Sequence, residues 1–419
     1  MNKILPPIIG ILLILYGLIG CSSEKLIQIQ IYNPIKLDRE YEIIEIPIRT
    51  LQTLSLKENE RFVVFDSEQR QVDYQLTYDS LLIFPVSVKA KSGSEYIIKK
   101  GIPDSVQTFA CGKHYPRRMD DIAWENDKAA YRTYGPALQA NGEKAYGYDI
   151  FTKSVPEPVV EQRYEIALDT VVEHEIRWLI ANGYPEKADS LSNAISYHVD
   201  HGNGMDCYSV GPTLGGGTAA LMVDSTIIYP YCYQNYKILN NGPLRFTVKL
   251  TYAPLTVKND SDIIEIRVIT LDKGSYLNRT EVVYKNLSEE TFVVSGIVIH
   301  PQNPNGFYFS SKERYIAYAD STDCTDCDNG IIYLGVAFPP SLKDAYVQWF
   351  PETEKPFRSG ALGHVLGINT YTPNTTYTYY WGSGWSKGDV SGIEVWKEYL
   401  KEYAAKIAAP LKIKITKFI

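Results

Sequence analysis

The sequence predicts a mostly β protein: a small β-sandwich, then a large antiparallel β domain, closed by one C-terminal helix. Three observations carry that expectation. Residues 26–100 alternate apolar and polar side chains in short runs divided by polar turns, the period-two pattern of strands. Tyrosine is abundant at 33, glycine and proline stand at 29 and 23, and methionine at only 4; tyrosine favours pleated, half-buried surfaces. No run of alternating strand-like and helix-like segments suggests a parallel sheet.

The elements follow in order. Ile27-Gln28-Ile29-Gln30-Ile31 and Tyr41 to Ile46 alternate, Arg61 to Phe65 and Leu81 to Val86 follow, and Asp66-Ser67-Glu68 makes a turn. This gives a small sandwich over residues 22–102, with a boundary at Gly101-Ile102-Pro103-Asp104. The large domain spans residues 103–419. Its strands are expected at Arg163 to Leu168, Leu244 to Tyr252, Ile263 to Leu271, Arg279 to Tyr284, Phe292 to Ile299 and Gly330 to Ala337. Thr170 to Ala194 can form a further helical stretch. Near the end, Ser391 with Glu394 forms a capping box. Ile393, Trp396, Leu400, Tyr403 and Ile407 then fall on one helical face, and Pro410 stops the helix.

The N-terminus has the order of a secretion signal. Lys3 precedes an apolar run, Ile4 to Ile19, that is short and broken by Pro6, Pro7, Gly10 and Gly17. It is a poor membrane span and a good signal core. Gly20-Cys21 resembles the cleavage box of bacterial lipoproteins, so residues 1–21 are expected to be a signal peptide and Cys21 the lipidated residue. The folded part is then extracytoplasmic, in the periplasm or on the outer cell surface, and tethered to a membrane. The net charge of -7 is the wrong sign for a nucleic-acid partner, and neither a Walker loop nor a Rossmann fingerprint is present. Five cysteines remain beyond Cys21; Cys324 and Cys327 suit a local disulfide, because a zinc ribbon would need a second such pair.

Four segments combine polar, aromatic and glycine residues, a mixture suited to sugars, which offer hydroxyls and an apolar C–H face. In the first, Arg117 and Arg118 can fork a uronate carboxylate, beside Asp121 and Trp124. The second holds His198, Asp200, His201 and Asp206, candidate acid/base residues; read as a strand, it puts His198 and Asp200 on one face and His201 on the other. The same carboxylates would suit a divalent metal such as calcium, although no cofactor motif is present. The third is the glycine run from Gly211 to Gly217, which reads as a tight turn or lets the backbone pass close to another element; Arg245 starts a strand soon after. The fourth, with His364, Tyr380, Trp381 and Trp385, offers rings for stacking.

Arg117-Arg118-Met119-Asp120-Asp121-Ile122-Ala123-Trp124-Glu125-Asn126-Asp127, Tyr134-Gly135-Pro136, Tyr197 to Gly202, Gly204 to Tyr208, Asn241 to Arg245 and Tyr380 to Trp385 together resemble a family of secreted bacterial proteins known as domain of unknown function 4861. The resemblance covers Cys111 to Pro410. It implies a galactose-mutarotase-like β-supersandwich and a place beside polysaccharide-degrading enzymes, often those acting on uronate-containing glycans; it assigns no catalytic residue. The expected function is therefore a lyase or hydrolase acting on uronate oligosaccharides. The alternatives are a glycan-binding lipoprotein without turnover and a sugar epimerase or mutarotase.

Overall fold

The computed structural model describes residues 25–324, 326–339 and 341–418; the expected signal segment and Cys21 lie outside the described residues. The first alternating run forms the strand Leu26–Tyr32. Ile27, Ile29 and Ile31 are buried with Ile44, Ile46 and Phe84, while Gln28 and Gln30 turn the other way and donate to Glu95 at 3.0 and 2.8 Å. The period-two pattern thus becomes an inner and an outer face. This strand lies between Gly93–Gly101 and the last strand of the chain, Lys412–Phe418, in a five-stranded sheet. A three-stranded sheet built on Arg39–Pro47 and Leu81–Val88 closes the small core. The small sandwich is therefore not contained in residues 22–102: it takes its edge strand from the C-terminus, a pairing that local periodicity cannot reveal.

The rest is a large sandwich of a nine-stranded and a five-stranded antiparallel sheet. Their shared core includes Val248, Ile269, Val282, Ile297, Val365 and Trp381. Inside it Arg267 and Glu265 form a fully buried ion pair at 2.5 Å, and Arg267 also donates to the Tyr148 hydroxyl and the Ala219 carbonyl, each at 2.9 Å. The glycine run lets strand Gly216–Val223 pass tightly against the opposite sheet: a Cβ on Gly217, at φ 127°, would stand 2.8 Å from the Trp381 Cβ.

Five helices are present among the described residues: α1 (Pro136–Ala140), α2 (Val160–Ala167), α3 (Thr170–Ala181), α4 (Pro185–Ile195) and α5 (Ile393–Ala408). The expected helical stretch is the pair α3 and α4; Asp169 caps α3 by accepting from the Val171 and Val172 amides. The strand expected at Arg163 to Leu168 is instead α2. Its N-terminus is held by the Glu125 carboxylate, which accepts from the Val159 and Val160 amides, a contact 34 or 35 residues away in sequence. α5 lies where its apolar spacing put it, with Trp396, Leu400 and Ala404 buried. The capping box does not form: Gly392 precedes the helix without a side-chain cap, and Glu394 pairs with Lys397 at 2.8 Å.

A four-stranded sheet, ordered Asp149–Phe151, Ala130–Thr133, Asp121–Glu125, Cys111–Tyr115, positions the site. One face, with Ile122, Trp124, Tyr131 and Ile150, joins the main core. The other, with Ala123, Ala130 and Phe151, packs against α2 and Tyr197.

Candidate functional site

Register explains how the charges meet. Arg132 pairs with Asp149 on one neighbouring strand and Ala123 on the other, so Asp121, two residues from Ala123, shares their face. The Arg132 guanidinium touches three carboxylates there. It contacts Asp149, reaches Asp206 at 2.8 Å and stands 3.7 Å from Asp121. The Tyr134 hydroxyl donates to Asp149 at 2.5 Å, and Arg132 donates to the Tyr164 hydroxyl at 3.3 Å. All three carboxylates are buried, while the Arg132 side chain keeps 10% exposure. Three acids around one cation are a high-stakes arrangement, because unpaired buried charge is costly.

Burial is the main cause of the acidities. It pushes the Asp121 carboxyl up to about 7; Arg132 and Arg118 pull it down, and Asp149 and Asp206 push it further up. The same burial raises Asp206 to about 6, opposed by Arg132 and aided by Asp149. Burial thus brings both carboxyls close to neutrality, Asp206 being the more acidic of the two.

At the rim, the Arg118 guanidinium lies over the rings of Tyr197 at 4.9 Å and Tyr164 at 5.5 Å. The His198 ring contacts the Asp206 carbonyl through Nδ1 at 2.8 Å, and its side chain is 56% exposed. Five of the eleven buried side-chain polar atoms without a partner among the described residues belong to this corner: Arg118 Nε, Asp121 Oδ1, Arg163 Nε, Asn203 Oδ1 and Tyr208 OH. Such atoms are rare in folded proteins; ordered water or a bound polar group would satisfy them.

Tyr208 links this cluster to a second one. Its hydroxyl is raised well above its ordinary value by burial and then by Asp320, with Tyr318 and Asp149 adding to it. Its ring meets His300 edge-on at 5.7 Å. His300 Nδ1 stands 2.6 Å from an Asp320 carboxylate oxygen, and the other Asp320 oxygen accepts from the Thr322 amide at 2.7 Å. A carboxylate on Nδ1 fixes the tautomer of such a ring.

Sequence reasoning missed Asp149, His300 and Asp320, and gave Arg132 no role of its own. Two of them carry a signal as polar residues beside an apolar run: Ile150-Phe151 follows Asp149, and Val298-Ile299 precedes His300. A charge in such a run must find a partner.

The residues singled out from the sequence separate. Arg118, Asp121, His198 and Asp206 gather around Arg132. Arg117 is exposed and spends its guanidinium on the Leu168 carbonyl. The segment from Tyr197 to His201 is a loop after α4, not a strand, so its expected alternation is absent. Asp200 holds that loop by accepting from the Gly202 and Gly204 amides at 2.9 and 3.0 Å, and His201 bonds the Ser196 carbonyl. Trp124 and Trp381 are fully buried. Trp381 stacks on Tyr148 at 3.9 Å and bonds Thr280; Trp124 bonds Asn278. Trp385 is buried and bonds the Asn329 carbonyl. These rings are core, not platforms, because aromatic area in strands is taken up by packing first. His364 is fully buried, accepts from the Leu214 amide at 3.0 Å, and is pushed down to about 3 by burial, so it stays neutral. Arg245 and Tyr380 line a different cleft. Among the described residues no group of three or more His, Cys, Asp or Glu is set to hold a metal ion, and at the Asp121, Asp149 and Asp206 cluster the central cation is Arg132. Cys324 and Cys327 form a disulfide with Cα atoms 5.4 Å apart.

The family profile described as Domain of unknown function (DUF4861) matches residues 31–413. A protein of Formosa agariphila described as Uncharacterized protein P7 is 25% identical over 413 residues, which cover 94% of each chain. Among solved structures, an alpha-mannosidase from Enterococcus faecalis is similar with a TM-score of 0.43 and 10% identity over 93% of this chain and 46% of its own. A glycosyl hydrolase family 38 protein from the same organism has a TM-score of 0.40 and 9% identity over 94% of this chain and 48% of its own. This chain spans about half the length of each of those two.

Proposed function

We propose that this chain, which belongs to the family described as Domain of unknown function (DUF4861), is a carbohydrate-processing enzyme that hydrolyses glycosidic bonds in uronate-containing oligosaccharides. The observation that carries the reading is the pair Asp121 and Asp206 on one guanidinium, raised to about 7 and about 6. Two buried carboxyls raised toward neutrality, one holding its proton more firmly than the other, are what acid- and base-assisted glycoside cleavage needs. Asp121, protonated and with a free Oδ1, donates its proton to the leaving glycosidic oxygen. Asp206, ionised, takes a proton from the attacking water or stabilises the positive charge that develops on the sugar. Arg132 holds both carboxyls at one guanidinium and opposes the effect of burial on each. Arg118, with its free Nε and its aromatic bed, holds the uronate carboxylate. The loop bearing His198 packs at this corner, with His198 Nδ1 on the Asp206 carbonyl.

Turnover of a panel of uronate oligosaccharides, read by mass and ultraviolet absorbance, tests this. Fragments whose summed mass exceeds that of the substrate by one water per bond cleaved, absent with Asp121→Asn, are expected. New absorbance without added water would reassign the site to elimination, and binding without any product would make the protein a glycan receptor.

The membrane tether belongs to the same proposal. Lipid on Cys21 would keep the enzyme extracytoplasmic, where such substrates arrive. Metabolic labelling with a fatty acid should mark the wild-type chain and leave Cys21→Ser unlabelled; equal labelling of both would remove the anchor from the account.

A further inference from the structure

A cleft of about 390 Å³ opens where the small sandwich meets the nine-stranded sheet and α5. It shares no residue with the Arg132 cluster. We infer that it is a second binding site, for an acidic oligosaccharide segment. The carbohydrate class rests on the function proposed above; the site itself rests on the following geometry.

One wall is apolar and aromatic, formed by Tyr380, Tyr399, Tyr403 and Ile407. Tyr380 and Tyr403 meet edge-on at 5.3 Å, and Tyr399 lies 5.8 Å from Tyr403. The other walls are charged. A cleft with one apolar wall and convergent polar groups suits a ring-shaped polyol, and its volume falls in the ~300–1,000 Å³ of ligand pockets.

The charges decide the sign of the ligand. Arg245 is closed on itself, bonded to Asp272 at 2.6 and 2.8 Å and to Glu45 at 2.6 Å. Arg39 neutralises Glu42 at 2.7 Å, Glu40 pairs outward with Lys89, and Lys406 pairs with Glu402 at 3.4 Å. Of the remaining lining cations, Arg279 makes only a loose ion pair and Lys273 makes none among the described residues. Arg279 stands 3.9 Å from Glu281, beyond hydrogen-bond reach, and its side chain is 34% exposed. Lys273 lies over the Phe109 ring at 4.0 Å. Arg39 adds an Nε that is buried without a partner, on a side chain with no exposed surface. A planar cation with spare donors is suited to a sugar carboxylate. Such a site would keep a long acidic glycan on the enzyme between cleavage events at the Arg132 cluster.

Calorimetric titration of the full chain carrying Asp121→Asn with tetragalacturonate tests the inference, and cellotetraose serves as the uncharged control. We expect a binding event that weakens at least tenfold on Arg279→Ala, and that is lost on Ile407→Trp, which fills the cleft. Cellotetraose should bind this site at least tenfold more weakly. Absence of any event, or affinities for tetragalacturonate unchanged by both replacements, would overturn the site. The result is independent of the catalytic reading, since the event is defined by Arg279 and Ile407, and turnover by the unreplaced chain is scored separately.

Discussion

Replacing Asp121 with asparagine should stabilise the protein at alkaline pH while removing its activity. In the fold, this carboxyl sits at about 7 instead of its ordinary 3.8, chiefly through burial, with Asp149 and Asp206 adding to the effect and Arg132 and Arg118 opposing it. The native chain therefore holds a proton that the unfolded chain has released. The stabilising contribution of that proton is fully present below the unfolded value and is lost as pH rises through the folded one. At about 1.36 kcal/mol per pKa unit, ionising the group in the fold costs about 4 kcal/mol once it is complete. Between about pH 5 and about pH 8 the change amounts to roughly 3 kcal/mol. Asparagine has the shape of the protonated acid and no charge to bury, so it escapes this loss. Urea unfolding of both proteins across that range should show Asp121→Asn gaining about 3 kcal/mol on the wild type from the acidic to the alkaline end. A constant difference across the range, or a gain toward acid, would refute the claim that burial keeps this carboxyl protonated.

Other consequences concern recognition and the core. Arg118→Ala should lower kcat/KM for uronate substrates by about 30- to 100-fold, the loss of a charged hydrogen bond of roughly 2–3 kcal/mol. Arg118→Lys should restore little of it, because an ammonium cannot fork a carboxylate; initial-rate kinetics on acidic and neutral oligosaccharides would separate the two effects. Arg267→Met should destabilise the fold by about 3–5 kcal/mol, since it strands the Glu265 charge in the core. Adding Glu265→Leu should recover most of that loss, as measured by denaturant unfolding.

Much of the fold could be read in the chain because it is written locally. Ile27 to Ile31 alternate and become two faces of one strand; Trp396, Leu400 and Ala404 recur at helical spacing and are the buried line of α5. What escaped is what depends on distant partners. The strand Lys412–Phe418 completes a sheet begun at residue 26. α2 owes its start to Glu125. The site divides along the same line. Arg118, Asp121, His198 and Asp206 stand out as polar clusters in sequence, and they do converge. Arg132 and Asp149 sit singly in apolar strands, and only the register of three strands brings them beside Asp121. Trp124 and Trp381 misled because aromatic and glycine residues together serve close sheet packing as readily as sugar stacking; Gly217 against Trp381 is the case in point.

The pH dependence of kcat/KM on a uronate oligosaccharide tests the central claim most directly. A bell is predicted, with an acid limb near 6 from Asp206 and an alkaline limb near 7 from Asp121. Asp121→Asn should lose the alkaline limb along with most of the rate, and His300→Ala, whose dyad lies across Tyr208 from Arg132, should keep both limbs. A profile that stays flat from about pH 5 to about pH 8, or one that Asp121→Asn leaves unchanged in shape and height, would contradict the account.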